Sequence, residues 1–347
     1  MASRDGVVDL RSDTVTTPTP AMRRAMAEAD VGDDAYGEDP TVARLEELAA
    51  ARLGTEAALY VTSGTLANQL GLRVLTRPGT EVLCAERAHV FRYERAATAG
   101  NAGVQLRPVP DPEGRFPPAV IHRAVADAQE HFPPLAAVTI ENPHMPASGR
   151  PWPAEEVTAV ADAAHVHDLP VHGDGARIWN AAVATRTTPR ELCAPLDTVM
   201  FCLSKGLAAP IGSVLCGSRA AIGAARDERA RLGGAWRQAG IIAAAGIVAL
   251  ETMVDRLADD HVRARRLADA LAERFPGSVD PARITTNIVC ADAARLPARL
   301  VARLAICGVL CGMIDASTVR FVTHKDVDDA DLDRCVAALD TIAKEEP

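Results

Sequence analysis

The sequence predicts an α/β fold with a mostly parallel sheet, followed by a smaller α/β domain. Three observations point there. Short β-rich apolar runs alternate with longer Ala-, Leu- and Arg-rich segments of helical period, the pattern of strand–helix–strand units. The 347 residues are enough for one large and one small domain. A long helical pattern then begins near residue 239, and strand-like runs resume beyond it.

The elements follow in order. Residues 42–53 place Leu45, Leu48, Ala49 and Leu53 on one helical stripe, and Gly54 is suited to the left-handed cap. Strands are expected at 57–62, 81–85, 136–140, 170–172, 199–203 and 213–216. A second helix spans 153–167, with Val157, Val160, Ala161 and Ala164 at helical spacing. The pattern over 239–275 is interrupted only by Gly246. Its first half is apolar all round and its second half is charged and amphipathic, as expected of a helix that joins two domains. Strands at 284–291 and 319–323 and helices at 297–306 and 329–344 complete the chain. The expected division is 1–250, an N-terminal segment with the large domain, and 251–347, the small domain.

Composition narrows the class of function. Apolar residues make up 48% of the chain and the formal net charge is −9, which argues against nucleic acid as a partner. The first residues lack the apolar core of a signal peptide, and no apolar run is long enough to cross a membrane. The eight cysteines are scattered without a C-x-x-C pair, and Cys84, Cys202, Cys216 and Cys307 fall inside expected strands and helices. That usage reads as reduced, buried thiols in a cytoplasmic protein.

Chemistry concentrates in a few short stretches. Asp174 opens Asp-Gly-Ala-Arg after one expected strand, and Lys205 sits in Ser-Lys-Gly after the next. Pyridoxal phosphate needs such groups at opposite ends of one ring: an amine to condense with its aldehyde, and a carboxylate to keep its ring nitrogen protonated. Neither residue alone says much, since a surface lysine and a turn aspartate are both ordinary. Their order favours the cofactor. Ser63, Gly64 and Thr65 form a small-residue turn before a helix, where free amides and the helix dipole suit a phosphate. His89 lies just past the strand at 81–85, on the side where α/β sheets bind ligands, and could stack on the ring. Arg177 and Arg320 are candidates for the carboxylate of an amino acid. A rival reading takes His165, His167, His172 and Asp174 as the metal cluster of a hydrolase.

These stretches resemble the threonine aldolase family, fold type I pyridoxal-phosphate enzymes of the β-eliminating lyase group. The resemblance rests on VDLRSDTVT (8–16), DAYGEDP (34–40), TSGT (62–65), DGAR (174–177), CLSKG (202–206) with Gly212 and Ser213, LGGAWRQAG (232–240), and RFVTH (320–324), all in the family's order. It implies a retro-aldol cleavage of a β-hydroxy-α-amino acid, L-threonine or L-allo-threonine first, to glycine and an aldehyde. A related lyase, aldol-type transferase or racemase would share every cofactor residue. The implied catalytic residues are Lys205, His89, His131 and Asp174, with His131 near the substrate hydroxyl. The implied cofactor set is Ser63, Gly64, Thr65, His89, Asp174, Arg177, Lys205 and Arg237, with no metal. Ser12, Tyr36, Arg177 and Arg320 would hold the substrate. The family's tetrameric habit implies that Tyr36 and Arg237 approach a neighbouring subunit's site. The chain departs from the pattern at Pro143, over 147–152, at His172 and Gly173, and at Ala235.

Overall fold

The computed structural model describes residues 6–345. Its strands are β1 (Val8–Asp9), β2 (Ala57–Val61), β3 (Glu81–Ala85), β4 (Gln105–Val109), β5 (Leu135–Glu141), β6 (Val171–Asp174), β7 (Thr198–Cys202), β8 (Ser213–Gly217), β9 (Ile288–Asp292), β10 (Val309–Leu310), β11 (Gly312–Asp315) and β12 (Thr318–Val322). Seven of them form one sheet in the order β2-β8-β7-β6-β5-β3-β4. Pairing is parallel from β7 to β4, and β8 runs antiparallel to both β7 and β2. Every residue of β7 and β8 is buried, as expected of central strands covered by helices on both faces.

The register places the chemistry. Glu141 at the end of β5 pairs with Asp174 at the end of β6, and Asp174 with Met200 near the end of β7. Cys202, the last residue of β7, pairs with Ser213, which also pairs with Val61, the last residue of β2. The carboxyl ends of β2, β5, β6 and β7 and the start of β8 therefore share one edge, the edge where open α/β sheets bind ligands.

A second core gathers Leu267, Leu271, Phe321, Leu332 and Leu339 against the antiparallel sheet β11-β12-β9. Val8 and Leu10 join it, because β1 pairs in parallel with β10. The N-terminal segment thus packs with the C-terminal part of the chain and then reaches the large domain, where Asp13 meets Arg177 and Thr16 the Lys205 carbonyl.

The expected single helix over 239–275 is two helices, Gly240–Thr252 and Leu257–Arg274. The Thr252 hydroxyl donates to the Val248 carbonyl at 2.8 Å, a back-bond that bends helices. The break also has a packing cause: Met253 and Leu257 belong to the core under the large sheet, whereas Ala264 onward belongs to the second core. The expected helix at 153–167 is Ala154–His165, and the strand expected at 284–291 begins only at Ile288. All eight cysteines are free and most are buried, but Cys307 is exposed just past helix Leu300–Ile306. Among the described residues no helix is long and apolar enough to cross a membrane.

Candidate active site

Asp174 closes β6 and is buried. Its Oδ2 accepts from Asn68 Nδ2 at 2.8 Å and its Oδ1 from the Ala176 amide at 3.1 Å. Burial alone would raise its pKa. The charges of His89 and Lys205 and these two hydrogen bonds outweigh burial and hold it below the ordinary carboxylate value. Lys205 follows β7, half-buried, and its charge reaches Asp13, His89 and Asp174. Its amine has no ion pair or hydrogen-bond partner among the described residues, although its carbonyl receives Thr16 Oγ1 at 3.0 Å.

His89 begins the short helix His89–Arg92, its amide bonded to Glu141 Oε2 at 2.8 Å and its Nδ1 2.9 Å from Glu94 Oε1. Burial lowers its pKa, but the bond to Glu94 and the charges of Asp174 and Glu141 raise it above the ordinary histidine value overall. Helix Gly64–Leu75 starts at the same edge, with the Ser63 hydroxyl capping the Leu66 amide at 3.2 Å. The Gly64 and Thr65 amides of this first turn have no acceptor among the described residues, as a phosphate cradle requires. Gly64 suits this close approach, since a Cβ would lie 2.9 Å from both Cys202 Sγ and Met200 Cε, and those side chains would have to shift to admit it.

The N-terminal segment completes the site. Asp13 is fully buried and accepts from Arg177 twice, at 2.7 Å and 2.6 Å, and from Asn287 Nδ2 at 3.1 Å. Burial opposes its charge, but Arg177, Lys205 and Asn287 keep it far below the usual carboxylate range. Ser12, half-buried beside it, caps the turn Asp13–Val15. Arg177 gives its Nε proton and one Nη2 proton to Asp13, which leaves both protons of Nη1 and the second of Nη2 for a ligand. Arg320 is the freer guanidinium. It donates to the Arg11 carbonyl at 3.0 Å, and its buried Nε has no partner. Burial and the nearby positive charge of Arg177 both depress its pKa, a strain that an anion between the two would relieve. Replacing Asp13 by Asn leaves Arg177 buried without a counter-charge, and is expected to cost about 3–5 kcal/mol of stability. Urea unfolding of the two proteins measures it; a loss under about 1 kcal/mol, the range of exposed pairs, would refute a buried-pair role.

Two expectations are not met within the chain. His131 is exposed in the turn before β5, at the amino end of a strand whose other end carries Glu141; seven residues of strand separate the two by about 23 Å. Tyr36 and Arg237, which the resemblance directs to a neighbouring subunit, are both largely exposed and outside this chain's own site, with Arg237 3.7 Å from Asp33. The metal cluster is pulled apart. His165 pairs with Asp197 at 2.9 Å, His167 meets His122 at 2.9 Å, and His172 lies inside the core. Among the described residues, the His/acid group close enough to share an ion is His89, Glu94 and Asp174, within 4.8 Å, and Asn68 already ties its two carboxylates together. Sequence reading missed Asp13, Asn68, Glu94 and Asn287. Asp13 stood inside VDLRSDTVT, which was the available signal.

A lysine after one strand, a buried aspartate ending its neighbour, and a helix N-terminus on the same edge are the arrangement of the fold type I α/β class. The model of the β-eliminating lyase family matches residues 9–294, and the chain belongs to that family. It is 38% identical to a probable low-specificity L-threonine aldolase 2 of Arabidopsis thaliana, over 96% of this chain and 97% of that one. Against the low specificity L-threonine aldolase of Escherichia coli K12 it is 38% identical, over 92% and 95%. A Leishmania major threonine aldolase structure superposes with a TM-score of 0.84 at 18% identity, covering 97% and 99%; that likeness concerns the fold.

Proposed function

We propose that this chain is a pyridoxal-phosphate aldolase that cleaves L-threonine or L-allo-threonine between Cα and Cβ, giving glycine and acetaldehyde. The observation that carries the reading is the pairing of an unpartnered Lys205 with an ionised, buried Asp174 at one sheet edge. The residues fit the cofactor in two further respects. The Gly64 and Thr65 amides are open, and the buried Ser213 hydroxyl has no partner; the buried Nε of Arg320 is likewise free for a substrate. When bound, pyridoxal phosphate supplies an electron sink for the bond pair released at Cα.

The chain's own residues do the rest. Lys205 offers the amine that anchors the cofactor. Asp174, ionised throughout the neutral range, holds the ring-nitrogen proton. Ser63, Gly64, Thr65 and Ser213 take the phosphate, and His89 covers one face of the ring. Arg320, helped by Nη1 of Arg177 and by Ser12, holds the substrate carboxylate and so selects which bond at Cα stands perpendicular to the ring. With Nδ1 committed to Glu94, Nε2 of His89 is the atom available to take the β-hydroxyl proton.

The exposed Tyr36 and Arg237 support a homotetramer in which each reaches a neighbour's site, and the eight free cysteines support a cytoplasmic setting. The test is product analysis with purified, cofactor-loaded protein. Equal yields of glycine and acetaldehyde from either threonine isomer are expected. Ammonia and a 2-oxo acid in their place would overturn the reading in favour of another lyase.

A further inference from the structure

His172 is a fully buried histidine that the chemistry above does not use. It lies between the sheet and helix Gly64–Leu75, and the helix makes room for it. A Cβ on Gly71 would stand 2.4 Å from His172 Cε1 and 2.6 Å from Nδ1, so an alanine there could not coexist with the imidazole.

The hydrogen bonds around it allow only one proton arrangement. Asn68 Nδ2 stands 2.8 Å from Asp174 Oδ2 and 2.7 Å from Glu94 Oε1. Two carboxylates accept, so the amide nitrogen must face them and both its protons are used. Asn68 Oδ1 is then the acceptor at 3.0 Å from His172 Nε2, and that nitrogen must carry the ring proton. His172 Nδ1 in turn accepts from the Thr198 hydroxyl at 2.9 Å. Donation thus runs from Thr198 through His172 and Asn68 to the two carboxylates that serve the cofactor ring and His89. Gln69 Nε2 fills Glu94 Oε2 at 2.7 Å, and Ala176 fills Asp174 Oδ1.

We propose that His172 is a positioning residue: it locks Asn68 in the one amide orientation that places its two protons on Asp174 and Glu94, and so fixes the geometry and charge of both groups flanking the ring. An Asn68 amide turned the other way would aim an oxygen at two carboxylates. Burial pushes His172 down to about 4, with the charge of Asp174 opposing, so the ring stays neutral and its tautomer fixed across the neutral range. His89, Lys205 and Glu141 are the other charged groups at the far end of the chain of bonds.

The inference rests on the cofactor reading above, and the experiment separates the two. Cofactor affinity of the protein, the pH titration of the bound cofactor's absorbance, and thermal melting are compared for wild type, His172→Phe, His172→Gln and Asn68→Asp. Phenylalanine keeps the flat ring but removes the donor to Asn68 Oδ1. It is expected to weaken pyridoxal phosphate binding by about tenfold or more and to move the absorbance titration. Glutamine, which keeps a donor, is expected to restore much of both. Asn68→Asp sets a third carboxylate against the other two and is expected to move the titration further. If His172→Phe matched wild type in affinity and titration while only melting earlier, His172 would be a packing residue and the inference would be overturned. Should that variant not fold, unchanged affinity and titration in Asn68→Asp overturns it equally. Wild-type protein that fails to bind the cofactor would instead sink the reading beneath it.

Discussion

Replacing Lys205 by alanine is expected to leave a folded protein whose turnover falls by at least about 10³-fold, the scale on which removal of a covalent catalytic group is felt. The fold should survive because the side chain is half-buried and makes no ion pair among the described residues. Its structural contacts are through the backbone, where the carbonyl receives the Thr16 hydroxyl and the Ala208 amide, and alanine keeps both. The charge, however, is not idle. Lys205 helps hold Asp13 and Asp174 ionised and lowers the pKa of His89. Without it all three should titrate higher, so the acid edge of cofactor binding should move up in pH. Turnover, visible absorbance of the covalently held cofactor, and circular-dichroism melting are the measurements. A folded variant that kept a tenth of wild-type turnover would show that another group carries the amine chemistry.

How far the sequence could be read depended on whether a residue's role is written locally. The buried strands β3, β7 and β8 were legible because unbroken apolar runs of that length, bounded by turn residues, have few other uses. The edge strand β4 was not, since Arg107 and Pro108 break its apolar pattern and it is only partly buried. The helix break at 253–256 was hidden because both halves keep a helical period and only the change from one core to the other makes the bend necessary. In the site, Lys205, Asp174 and His89 announce themselves by position after strands and Arg177 and Arg320 by their surroundings, and the threonine aldolase resemblance added Ser12, Tyr36, His131 and Arg237. What it did not reveal was how Arg177 is spent. Asp13 lies 164 residues away in sequence and meets it just after β1, which is itself held by pairing with β10. Asn68 and Glu94 look like any polar residues of a helix or turn until burial gives them no water to bond. His131 shows the converse: the resemblance implied a site role, and within this chain the direction of β5 sets it at the opposite edge, where the sequence alone reads a surface loop.

The second large effect should come from Asp174→Asn. The substitution keeps the size and one acceptor oxygen for the Asn68 amide, but it removes a buried negative charge that faces His89 and Lys205. Breaking a buried charge pair from one side costs about 3–5 kcal/mol. If that cost falls on the transition state, where the ring-nitrogen proton must be held most firmly, turnover drops by about 10²–10⁴-fold at 1.36 kcal/mol per factor of ten. The pH dependence gives a separate sign. Because the folded-state pKa of Asp174 is depressed, its stabilising contribution is complete above the unfolded carboxylate value and is lost as pH falls through the lower folded value. Wild-type cofactor affinity should therefore hold steady from neutral pH down into the acid range before this group lets it go, while Asp174→Asn should be weaker at neutral pH and lack that acid-side loss. Equilibrium dialysis of the cofactor against pH, beside single-turnover rates, distinguishes the outcomes. An Asp174→Asn protein with wild-type turnover and an unchanged acid limb would mean that the ring nitrogen is held by some other group, and Glu94, joined to Asp174 through Asn68, is where the search would turn.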